Sequence, residues 1–197
     1  MKYLIVLLVC CFSQVLAQRA APEITSNPSY AERKDWQAFL DWPQKFEDSF
    51  VQTHPALADS DPGYMTTYSL EPDWYLLEIQ TYAGAYQPAY IYIIYNENWQ
   101  EGFLLSFPQV SLVEGVIWLS SSLEIASLSN FNPDTKTLTL YSRSRGAGGC
   151  GDLSTYRFEY EFAYLVETRA QSCEEADAQG EDMLLDPSHW PVIWPSP

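Results

Sequence analysis

Hydrophobic and polar positions change rhythm near Tyr64. Before that point the spacing is helical: Trp36, Phe39 and Leu40 share one face, and Phe46 and Phe50 fall four residues apart. Asn27-Pro28 can cap a helix, and Ser29 followed three residues later by Glu32 forms a capping box. Pro43 can end that helix or start another. One or two short N-terminal helices packing on a sheet are therefore predicted within residues 18–63. Asp59, Asp61, Pro62 and Gly63 turn the chain into the next region.

Beyond Tyr64, short runs rich in Tyr, Ile, Val, Leu and Trp recur between Gly, Pro and Asn/Asp breaks, a strand pattern. Strands are predicted over 65–70, 75–82, 89–95, 103–107, 116–119, 124–129, 137–143, 155–160 and 164–168. Asn132 to Lys136 reads as a turn into a strand with Leu138 and Leu140 on one face and Thr137, Thr139 and Tyr141 on the other. The expected fold class is mainly β. Residues 64–197 form an antiparallel β-sandwich or barrel-like domain, with no repeat of solenoid or propeller period.

The first residues follow neither rhythm. Lys2 precedes an apolar run from Leu4 to Phe12, and Val15-Leu16-Ala17 fits a signal-peptidase site, so residues 1–17 read as a signal peptide and the exported chain begins near Gln18. The run is shorter than the about 20 residues needed to cross a bilayer, and Leu8-Val9 before Cys10 lacks the small residues of a lipid-attachment site. The expectation is an exported protein with no membrane span after cleavage, periplasmic rather than extracellular. The net charge is −16, and cleavage removes Lys2 and no acidic residue. Such a field repels nucleic acid and anionic headgroups and favours cationic partners.

Cleavage also removes Cys10 and Cys11, leaving Cys150 and Cys173 to pair in an oxidising compartment. In an antiparallel hairpin paired positions have a constant sum, which for these two cysteines places the turn between Glu161 and Phe162. A three-residue loop instead pairs Phe158 with Val166 or with Tyr164, keeping Arg157 and Glu159 on the opposite face. Either register brings the cysteines close enough for a disulfide.

Four short motifs occur in order: Gly84-Ala85-Tyr86-Gln87, then Phe131 through Leu138, Ser144-Arg145-Gly146-Ala147-Gly148-Gly149-Cys150-Gly151, and Trp190-Pro191-Val192-Ile193-Trp194. Together they make the chain, over residues 64–197, resemble the DUF1176 family of exported bacterial proteins. That resemblance implies a periplasmic location and supplies no catalytic residue. The chain departs from the family in lacking upstream cysteines and in an acidic insert between Cys173 and Trp190.

Candidate chemistry is sparse. Only His54 and His189 are available as histidines, no CxxC or HExxH occurs, and carboxylates are abundant without a spacing that singles out an acid and base pair. A non-enzyme without cofactor or metal is expected. Glu175, Asp177, Gln179, Gly180 and Asp186 fall at calcium-loop spacing, but Gln179 and Asp182 depart from it and no flanking helix is evident. Arg143 and Arg145 beside the glycines could bind an anion through guanidinium and backbone amides. Trp74, Tyr86 and Trp99, within a tyrosine-rich region, could stack on sugar rings. Three readings follow: a non-catalytic, binding or structural envelope protein; a glycan or peptidoglycan-binding module; or an acidic inhibitor of a cationic hydrolase such as a lysozyme.

Overall fold

The computed structural model describes residues 20–113, 116–146, 148–180 and 185–194. The expected signal peptide, with Cys10 and Cys11, lies outside them. Helix α1 (Tyr30–Leu40) opens with Ser29 and Glu32 in a reciprocal capping box, and α2 (Gln44–Thr53) starts after Pro43. Twelve strands follow: β1 (Met65–Glu71), β2 (Trp74–Tyr82), β3 (Ala89–Asn96), β4 (Glu101–Leu104), β5 (Phe107–Val113), β6 (Val116–Ser122), β7 (Ile125–Ala126), β8 (Leu128–Asn132), β9 (Thr137–Arg143), β10 (Gly151–Glu159), β11 (Phe162–Gln171) and β12 (Val192–Trp194). Helix α3 (Cys173–Gln179) lies between β11 and β12.

The strands form two five-stranded antiparallel sheets and a hairpin. The first runs β1-β2-β3-β4, with β7 also on β3; the second runs β12-β11-β10-β9-β8; β5 pairs with β6 alone. This is a sandwich-like arrangement, not a closed barrel. Because side chains alternate along a strand, Leu76, Tyr92 and Ile94 face the second sheet, where they meet Leu138, Leu140 and Tyr156. Leu77, Ile79, Ile91, Ile93 and Tyr95 point the other way, against Trp36, Trp42 and Phe46 of the helical layer. Strands β2 and β3 are thus covered on both faces, and their near-continuous apolar runs have that cause.

Arg33, fully buried, ties the helical layer to the sheet. Its guanidinium donates to both Glu47 carboxylate oxygens, at 3.1 and 2.6 Å, and to the carbonyls of Gly63 and Gln80, at 3.0 and 2.9 Å. It also lies 3.8 Å over the Phe50 ring, and Trp42 Nε1 donates to the same Glu47 at 2.9 Å. A buried guanidinium is stable only when its donors are met in this way.

Several expectations shift. The β10–β11 turn lies at Tyr160-Glu161, with Tyr160 at φ 52°, and Phe158 faces Ala163 instead of Val166 or Tyr164. A bulge between Thr155 and Tyr156 absorbs the extra residue Val166, so the register near the cysteines differs by one from that near the turn. The disulfide forms nonetheless, with Cα atoms 5.0 Å apart, because Cys150 and Cys173 lie just past the last paired residues, Gly151 and Gln171. Residues 124–129, expected as one strand, are divided between β7 and β8. The segment after Cys173, expected as a loop, begins with α3, capped by Ser172 and Glu175. Glu175, Asp177 and Gln179 are therefore helical and lack calcium-loop geometry; Asp182 lies outside the described residues.

Candidate functional site

The residues singled out for binding separate into two groups. Tyr86 lies over Gly146, where an added Cβ would collide with the tyrosine ring, and its neighbour Gln87 accepts from the Arg143 backbone amide at 2.8 Å. The loop between β2 and β3 thus packs on the glycine-rich turn that carries both arginines. Arg145 is held by the Gly148 carbonyl at 3.1 Å and by Asp177 of α3 at 2.6 Å. Arg143 lies near the Tyr141 ring, 5.6 Å from its centroid. Here Arg145 faces a carboxylate and a carbonyl, which opposes anion capture through that side chain.

Trp74 and Trp99 meet elsewhere, edge to face, with centroids 5.2 Å apart and rings inclined by 78°. Trp74 lines a cleft of about 400 Å3 together with Leu70, Glu71, Phe158, Glu159 and Tyr160. The β1–β2 turn and the tip of the β10–β11 hairpin form its two sides. Aromatic rings flanked by two carboxylates suit a hydroxyl-rich or cationic ligand.

A larger cavity, about 490 Å3, opens where the N-terminal segment meets β1 and β2. Thr66 and Glu78 are opposite each other in the β1–β2 register, and Gln80 and Tyr90 continue the wall. Ser29, Glu32 and Asp61 line the helical side, and Tyr64 lies at the entrance to β1. Carboxylates come from both sides, and no Lys, Arg or His lines the cavity among the described residues.

Glu78 is the unusual group in this wall. It is 6% exposed, and its carboxylate accepts from Tyr92 Oη at 3.0 Å and Tyr68 Oη at 3.4 Å. Burial raises its pKa, with hydrogen bonds from Ser129, Tyr92 and Tyr68 pulling the other way. The surrounding phenols are raised too: Tyr90, mainly by burial and then by the Glu78 charge, to about 12. Glu32 is lowered, because the Ser29 amide and hydroxyl donate to it. One cavity therefore holds a carboxyl biased toward protonation and another held ionised.

The chain matches no family model, no curated protein and no solved structure. Its chemistry has to be read from these side chains. No helix among the described residues is long and apolar enough to cross a membrane. Sequence reasoning missed Glu78 as a site residue, although one acidic residue within Tyr75-Leu76-Leu77-Glu78-Ile79 was a signal that a carboxylate would face a covered side of the strand.

Proposed function

We propose that this chain is an exported, non-catalytic binding protein that takes a small cationic, amine-bearing ligand in the Glu78 cavity. One observation carries the reading: a buried carboxylate in a cavity of about 490 Å3, facing hydroxyls and further carboxylates with no basic side chain among the lining residues. An ammonium group entering there supplies the missing counter-charge, and the Tyr64 and Tyr90 rings add favourable faces for a cation. The Cys150–Cys173 disulfide and the signal-like N-terminus support export; membership of the DUF1176 family belongs to the same proposal.

Thermal melting with a panel of small amines and neutral sugars tests it. Amines should raise the Tm of the native chain and leave a Glu78→Gln variant unmoved, since the amide keeps the shape and one acceptor while losing the charge. If amines stabilise neither protein, or stabilise both equally, the reading fails.

A second reading, glycan binding, rests on the separate Trp74 cleft with its flanking Glu71 and Glu159. Its test is retention on insoluble peptidoglycan, which should be lost in Trp74→Ala and Tyr160→Ala. Loss of the first reading would leave this one standing, because the two sites share no lining residue.

A further inference from the structure

Strand β6 exposes four consecutive apolar residues: Val116 at 55%, Ile117 at 49%, Trp118 at 59% and Leu119 at 65%. Alternation along a strand places Val116 and Trp118 on one face and Ile117 and Leu119 on the other, so neither face is covered. Strand β5 is the only one paired with β6 among the described residues, and that register runs unbroken from Val113–Val116 to Phe107–Ser122. The opposite edge of β6 therefore presents unpaired backbone donors and acceptors. Protected edges usually carry a lysine, a proline or a bulge, and β6 has none of these. Next to it, Leu119 shares a groove with Phe162 and Tyr164 of β11, both exposed, extending the apolar surface.

We propose that β6 pairs antiparallel with β6 of a second copy of this chain. The chemistry of the strand selects that occupant. Residues 102–123 contain a single charged residue, Glu114, in a chain of net charge −16, so two copies can meet here with little local repulsion, and the strand offers a cationic partner no carboxylate. A bilayer is a poor alternative, because an open strand edge leaves its backbone groups unsatisfied in hydrocarbon. A two-fold axis satisfies both edges at once. Centred on Trp118, it sets Trp118 beside Trp118 of the other copy on one face of the new four-stranded sheet and Ile117 of each copy beside Leu119 of the other on the opposite face, since directly opposed residues in an antiparallel pair share a face.

Sedimentation equilibrium of the exported chain over a wide concentration range tests the pairing. The expected result is a reversible dimer that tightens with added salt, as screening weakens the long-range repulsion between two acidic copies. Ile117→Lys and Trp118→Lys should each weaken it by tenfold or more while leaving the melting curve unchanged at concentrations dilute enough for the wild type to be monomeric, since both positions are exposed in one copy. A wild type that stays monomeric throughout, variants that dimerise as tightly as wild type, or a monomer that instead floats with phosphatidylcholine vesicles would each overturn the proposal.

Discussion

At the scale of single residues, Asp152 and Glu78 are pushed toward protonation by their surroundings. Asp152 on β10 lies beneath the β5–β6 hairpin, in a small space with Ser142, Ser154 and Tyr156, and burial lifts its pKa from 3.8 to about 6 against the Ser142 hydrogen bond. A raised folded pKa means that the folded state holds the proton more tightly than the unfolded one. Asp152 therefore costs no stability below about 4, and its cost grows as the pH rises through about 6, reaching about 3 kcal/mol. Melting curves across that window should show Asp152→Asn gaining on the wild type as pH increases; parallel curves would mean that Asp152 is as well solvated in the fold as outside it. Glu78 shifts in the same direction, so Glu78→Gln is expected to leave neutral-pH stability unchanged or higher even as it abolishes amine binding.

Elements depend on a few ties whose loss should be large. Arg33 holds α1, α2 and β2 together, and Arg33→Leu leaves Glu47 buried without its counter-charge, for an expected loss of about 3–5 kcal/mol in denaturant unfolding. Adding Glu47→Leu should recover part of that loss, since an apolar pair is less costly than a lone buried charge; a double variant no more stable than the single one would contradict this. The Cys150–Cys173 bond closes a loop of separation 23 and fastens α3 to the glycine-rich turn. Replacing both cysteines by alanine should cost about 3 kcal/mol, which for a chain of this size lowers the Tm by roughly 6–12 °C.

The whole molecule shows which features local patterns could carry. Ser29 with Glu32, the Phe46 and Phe50 spacing and the Leu138 and Leu140 alternation are short-range signals, and they led to the observed elements. Helix α3 was not legible because Glu174, Glu175 and Asp177 read as a solvated acidic run; its capping box at Ser172 was the overlooked signal. Strand β5 was hidden by Pro108 and by Gln109 and Ser111, which suit a loop. The apolar run around Glu78 signalled a covered carboxylate without showing what it would face, whereas Arg33 looks like an ordinary surface charge in sequence, and only the packing of distant elements buries it. The same holds for the cavity, whose walls come from residues about fifty positions apart.

The proposed binding of an amine at Glu78 has its most direct check in calorimetric titration of a small primary amine into wild type and Glu78→Gln at acidic and neutral pH. Tyr68, Tyr90, Tyr92 and Ser129 face this carboxyl, and the phenols remain neutral over that range, so the linked proton is expected to be that of Glu78. Because its pKa is raised, the wild type should bind more tightly as pH rises and should release a proton on binding, whereas Glu78→Gln should give no binding heat at either pH. Equal, pH-independent heats in both proteins would show that the buried carboxylate does not hold a ligand.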